Sequence, residues 1–189
     1  LMLLLVVVAT LAGLSQLNFL AESTTEAARD RLSGLFARPV GDAILTQNLG
    51  AAARAGLPVA VLLVSLDDLD GLYRRYGHED GDSALAGAAA ALRTVLRQGD
   101  TLALWDSSTF LVVLPATDVA GAGSLLARLG ETGLGIRPEG GPLTSSVGVA
   151  ERTADGTDDA GQILAAAERR MQTAKRRGGG RMAGPGDEG

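Results

Sequence analysis

The pattern of apolar and polar positions divides the chain into a charge-free apolar stretch and a long alternation of helical and extended periods. Residues 1–21, LMLLLVVVATLAGLSQLNFLA, hold no charged side chain. At ~1.5 Å per residue such a stretch crosses a hydrocarbon core of about 30 Å, so it reads as a transmembrane helix. No basic residue precedes the apolar run, as a secretory signal would require. Arg29, Arg31 and Arg38 follow it, which by the positive-inside rule puts the rest of the chain on the cytoplasmic side of a bacterial inner membrane. A first residue other than Met is in keeping with a longer protein. Residues 22–30, ESTTEAARD, are polar helix formers and read as a short connecting helix.

From residue 31 the period alternates. Residues 41–55 are an amphipathic helix that Gly56 and Pro58 end. Val59–Leu66, VAVLLVSL, is a continuous β-branched and apolar run, the mark of a central strand buried on both faces. Asp67, Asp68 and Asp70 are placed to cap the helix that follows, which runs through Tyr76 and stops at Gly77. A longer Ala-rich helix is expected over 82–98. Thr101–Trp105 and Phe110–Leu114 form a β-hairpin around the small polar turn Asp106-Ser107-Ser108-Thr109. A helix capped by Asp118 spans 118–131. Strands are expected in GLGIR (133–137) and PLTSSVGVAE (142–151), and a last helix over 158–176. The Gly-rich tail, 182–189, is expected to be disordered apart from a short strand at its start. The alternation predicts an α/β fold with a mixed central sheet flanked by helices and one β-hairpin.

Composition narrows the function classes. The 189 residues include no Cys and a single His, which excludes disulfides, thiolate metal sites and multi-His metal sites. A net charge of −5 and only 3% aromatic residues argue against nucleic acid as a partner.

Four motifs, in order and correctly spaced, carry a family likeness. Residues 30–38, DRLSGLFAR, resemble the opening D-x-L-T-G-L-x-N-R of GGDEF domains, the fold of the diguanylate cyclases. Tyr76-Gly-His-x-x-Gly-Asp82 matches that family's Y-G-H-x-x-G-D, Ser146-Val-Gly148 its S-x-G strand, and Ala174-Lys175 its A-K pair. The resemblance covers residues 31–181 and implies a nucleotide-cyclase-like α/β sheet. It further implies an activity that joins two GTP molecules into cyclic di-GMP with divalent metal. The metal is needed because triphosphate charge must be neutralised as the 3′-hydroxyl attacks phosphorus. In the family the metal is held by the first Asp of a D-x-D strand end and by the third position of the G-G-D/E-E-F hairpin.

The chain departs from that pattern at the metal and base positions. D-x-D reads Ser65-Leu66-Asp67, and GGDEF reads Asp106-Ser107-Ser108-Thr109-Phe110. Both metal acids are thus replaced, by Ser65 and Ser108. The family's guanine-reading Asn is Tyr73, and a phosphate-contacting Arg is Gly179. Asp82, the other guanine contact, and Lys175, a phosphate contact, remain. Ser is a weak neutral ligand for Mg²⁺. These residues therefore read as a vestigial nucleotide pocket with no catalytic residue and no metal or cofactor. Mg²⁺ is implied only for the alternative, a cyclase whose metal site is rebuilt from Asp67 and Asp106. His78, inside the matched Y-G-H turn, reads as structural.

Arg97-Gln-Gly-Asp100 stands where the family carries its R-x-x-D product-inhibition site, with five residues between Asp100 and Asp106. The resemblance implies binding of cyclic di-GMP there, Arg97 forking onto guanine or phosphate and Asp100 accepting from the guanine edge. Arg128, on the following helix, is a candidate second guanidinium. On residue chemistry alone the pair also reads as a helix end and a turn. The expected function is a membrane-anchored, inactive signalling domain that binds cyclic di-GMP. The other candidates are the unorthodox cyclase and a nucleotide-free dimerisation or docking module with a homodimeric or protein partner.

Overall fold

Strand β2, Val59–Leu66, is buried at every position because it lies in the middle of the sheet with helices on both faces. Its even-numbered side chains, Leu62 and Val64 among them, pack in one apolar cluster with Leu72, Leu85, Leu92 and Leu125. Its odd-numbered side chains Val61 and Leu63 pack in a second cluster with Leu45, Leu49, Ile163 and Met171. The period of two along one strand thus builds both cores of an α/β sandwich.

A computed structural model of the chain describes residues 29–187. In chain order the elements are β1 (Phe36–Ala37), α1 (Arg38–Ala55), β2, α2 (Leu69–Tyr76), α3 (His78–Val95), β3 (Thr101–Leu104), β4 (Thr109–Pro115), α4 (Val119–Thr132), β5 (Ser145–Glu151), α5 (Ala160–Arg176) and β6 (Met182–Ala183). The sheet order is β1-β3-β4-β2-β5-β6. The outer pairs β1–β3 and β5–β6 are parallel, and the three inner pairs are antiparallel. The mixed sheet flanked by helices is as the alternation predicts. In register, Ser65 of β2 stands between Thr109 of β4 and Ser146 of β5.

Several expectations shift. The segment 133–137 is not a strand: only an isolated bridge joins Ile136 to Pro142, and Gly133 and Gly135 take positive φ that a strand does not allow. Helix α3 starts at His78 rather than 82, directly after Gly77, and Leu96 leaves it in an extended conformation. Asp67 and Asp68 cap no helix through their side chains. Asp68 is left-handed (φ 58°), which breaks β2 from α2, and its carboxylate turns to Arg75 and Arg137 instead. The Arg75 hydrogen bond holds that carboxyl below its usual value, against a smaller upward push from desolvation.

The short strand expected at the start of the tail is present: Met182–Ala183 pairs with Val147–Gly148. Of the expected connecting helix 22–30, Arg29 bridges to Phe36 and Asp30 accepts from Ser33. Residues 22–28 and the expected transmembrane stretch 1–21 lie outside the described residues. Among the described residues no helix is long and apolar enough to cross a membrane.

One glycine fixes the frame of the site. A Cβ on Gly148 of β5 would stand 1.8 Å from the Ala167 carbonyl oxygen and 2.5 Å from the Met171 nitrogen of α5. Only glycine lets the last helix lie this close to the sheet. That approach sets where the α5 end, with Lys175 and the loop to β6, meets the end of β2.

Candidate functional site

The β3–β4 hairpin carries both groups of residues that the sequence singles out, one at its tip and one at its base. At the tip, Asp106 folds over its own turn: Oδ1 accepts from the Ser108 backbone N–H at 2.9 Å and from its hydroxyl at 3.4 Å. The backbone N–H of Leu66 donates to Ser108 O at 2.9 Å, so the turn sits against the end of β2. Ser65 and Ser108 are therefore neighbours in space as well as in alignment. The Ser65 hydroxyl is fully buried and has no hydrogen-bond partner.

The carboxylate of Asp67 is also turned inward. One oxygen accepts from the Ser146 hydroxyl at 2.7 Å and the other from the Gly180 N–H at 2.8 Å. It ties β2, β5 and the loop after α5 together. A side chain at Gly179 would meet this carboxylate at about its contact limit, and Gly179 holds a positive φ of 71°. Lys175 lies in the last turn of α5, half-buried, at the start of the same loop.

Tyr73 and Asp82 meet across the α2–α3 turn. The phenol donates to Asp82 Oδ1 at 2.9 Å. Burial, then the bond to Asp82 and its charge, push this phenol up to about 12. The ring lies so close over α3 that a Cβ on Gly81 would be 2.3 Å from it, and it tilts against His78 with centroids 5.6 Å apart. The exposed His78 ring thus packs beside the tyrosine.

At the base, the chain leaves α3 and turns back into β3. Asp100, with its side chain only 3% exposed, accepts from the Arg97 backbone N–H at 2.9 Å and from its Nε at 3.3 Å. The Arg97 side chain as a whole is 61% exposed. Its Nη2 donates to Pro115 O and to the Thr117 hydroxyl, at 2.8 and 2.9 Å. Arg128 of α4 donates to Val95 O at 3.0 Å. Arg97, Asp100 and Arg128 line one cavity of about 410 Å³, with Thr117 and Asp118 on its rim. The Asp100 turn expected from residue chemistry is present, and so is an Arg fork facing a cavity.

A diguanylate cyclase, GGDEF domain model matches residues 27–181. The chain belongs to the GGDEF family. GGDEF relatives include Diguanylate cyclase DgcP of Pseudomonas aeruginosa, 28% identical over 168 residues, which are 87% of this chain and 25% of that protein. Response regulator PleD of Caulobacter vibrioides is 30% identical over 112 residues, 59% of this chain and 25% of PleD. The chain thus spans about a quarter of these relatives. Among solved structures, the coiled coil and GGDEF domain of DgcB from Caulobacter crescentus in complex with c-di-GMP matches with TM-score 0.82 at 21% identity, covering 94% of this chain and 96% of that one. Diguanylate cyclase SiaD in complex with its activator SiaC from Pseudomonas aeruginosa matches at 0.76 and 27%, covering 94% and 70%.

On the GGDEF frame, the structure brings Ser65 and Ser108 together, Tyr73 onto Asp82, and Arg97 and Asp100 onto a shared cavity with Arg128. Lys175 stands at the end of α5, before the loop that Asp67 ties down. Sequence reasoning missed Thr117, which steadies Arg97. Nothing in a lone Thr two residues past a strand signals that role.

Proposed function

We propose that this GGDEF domain is a catalytically inactive receptor that binds cyclic di-GMP at Arg97 and Asp100. The observation that carries the reading is the Tyr73–Asp82 bond: the one base-reading carboxylate kept by the chain already has a donor from its own fold. A guanine entering there would have to displace a ring packed on Gly81.

Charge supports the same reading. The segment 67–82 carries Asp67, Asp68, Asp70, Asp80 and Asp82, and a triphosphate brings further negative charge. Magnesium would have to neutralise that charge, and the donor set does not fit it. The two family ligand positions hold hydroxyls, and the nearby Asp67 and Asp106 carboxylates accept bonds within the fold. Among the described residues no group of three acidic or His side chains stands in ligating geometry. At the base Arg97 and Arg128 line one cavity with Asp100, and each guanidinium keeps N–H donors beyond its bonds within the fold, which suits phosphate and guanine edges.

In this reading residues 1–21 anchor the domain in the inner membrane with the domain in the cytoplasm. The support is the charge-free run and the Arg residues after it. The output is a protein partner or a second copy of the chain, as the SiaD–SiaC complex illustrates for one relative.

One observation favours a second reading, a nucleotide-free docking module. Arg97 already spends one nitrogen on Pro115 O and Thr117, so it has a structural task. Calorimetry with the purified chain separates the readings. The receptor gives saturable heat with cyclic di-GMP that Arg97→Ala abolishes, and no product from GTP with Mg²⁺. A wild-type chain that gives no heat leaves the docking module standing, and turnover of GTP restores the cyclase.

A further inference from the structure

Arg97 and Asp100 form a partition between two cavities, and only one of them contains Arg128. The other, about 330 Å³, opens on the opposite side toward the turn that precedes β1, where Arg29, Phe36 and Arg93 join Arg97 and Asp100 in its wall. Its charge is inverted with respect to the whole chain, which carries −5. Three guanidiniums face it against one carboxylate, and Asp100 is already committed to Arg97.

Each of the added cations is held by one main-chain bond. Arg29 donates Nη1 to Gly34 O at 2.9 Å, and its guanidinium carbon lies 4.6 Å from the centre of the Phe36 ring. Arg93 donates Nη2 to Ser33 O at 3.1 Å. A guanidinium has five N–H donors, so one fixed bond sets the position and leaves most of the fork for a ligand. Both side chains are exposed, and among the described residues no carboxylate pairs with either. Three like charges on one wall with Asp100 as the one acid among the lining residues repel, and an anion reduces that cost.

We propose that this second cavity holds the other half of a cyclic dinucleotide bound at Arg97 and Asp100. A guanine stacks on the planar Arg29 guanidinium, and a phosphate accepts from Arg93. The proposal rests on the receptor reading above and extends it to Arg93, four residues before Arg97, and to Arg29, which is distant in sequence. Bases stack on guanidinium planes, and a fork gives phosphate two parallel bonds. The ligand has two guanines and two phosphates, so a site on both sides of Arg97 matches its symmetry.

The test is calorimetric titration of the full chain with cyclic di-GMP, in wild type, Arg97→Ala, Arg29→Gln, Arg93→Gln and the double Gln variant. Each single Gln variant is expected to bind about tenfold more weakly, and the double variant more weakly than either. Wild-type binding that Arg97→Ala abolishes and the double variant leaves unchanged overturns the second lobe but keeps the receptor reading. No wild-type binding overturns both. Melting curves check the fold. If the double Gln variant melts early, Arg29→Lys with Arg93→Lys keeps both charges and loses the planar forks. An unchanged affinity in that pair also overturns the lobe.

Discussion

The tip and the base of one hairpin are built on the same two strands, yet their side chains have opposite commitments. At the tip the acids are bonded within the fold: Asp67 joins β2 to β5 and to the α5 loop, the exposed Asp106 closes its own turn, and Asp82 takes the Tyr73 phenol. At the base the Arg97 side chain stays exposed over a cavity: Nε and Nη2 are bonded within the fold, and Nη1 keeps its donors, with the acid partner buried beneath it. The backbone register runs unbroken through both regions, from Thr101–Val113 to Leu104–Phe110. A fold can therefore preserve its hairpin while the polar groups at one end turn to holding the structure together. What distinguishes a binding end from a structural end is the number of donors and acceptors left over.

The bluntest way to break the comparison is to remove the frame that both ends share. Gly148→Val places side-chain atoms where α5 has its backbone, and is expected to cost about 3 kcal/mol or more, read by denaturant unfolding. A loss below about 1 kcal/mol contradicts the close packing of α5 on β5. The next largest effect belongs to the base. Arg97→Ala is expected to abolish measurable cyclic di-GMP binding, a loss of about 2–3 kcal/mol or more, while the melting temperature falls only modestly.

Smaller effects sharpen the tip. Tyr73→Phe removes the hydrogen bond to Asp82 and is expected to cost about 1 kcal/mol near neutral pH. The Tyr73 phenol is raised to about 12 from an ordinary value near ~10, so its contribution is whole below about pH 10 and is lost as pH rises toward 12. An ultraviolet titration of the wild type then shows a late-ionising phenol that Tyr73→Phe deletes. The smallest effect is expected at Ser65. Its buried hydroxyl has no partner, so Ser65→Ala is expected to leave stability unchanged or raise it by about 1 kcal/mol. A clear destabilisation would show that the hydroxyl serves the fold.

Much of this was legible in the residues. The apolar run of β2, the hairpin around 106–109 and the four spaced motifs define the sheet and the family. Asp118 caps α4 through Gly121 N, as its place before the helix suggests. The errors share a cause. Asp67 and Asp68 precede a helix and so look like caps, but their partners, Ser146, Gly180, Arg75 and Arg137, arrive from other elements. Tyr73 stands out as a departure in sequence, but its reach to Asp82 depends on the Gly77 turn and on the bare surface of Gly81. Arg93 precedes Arg97 by four residues, but Arg29 shows no local pattern, and only the turn before β1 folding against α3 brings it beside them.

The central claim is that the base binds and the tip does not. Its most direct test is one paired calorimetric titration of the purified chain, with cyclic di-GMP and then with GTP, each in the presence of Mg²⁺. The account predicts saturable heat for cyclic di-GMP and none for GTP. Saturable heat with GTP and none with cyclic di-GMP would contradict it.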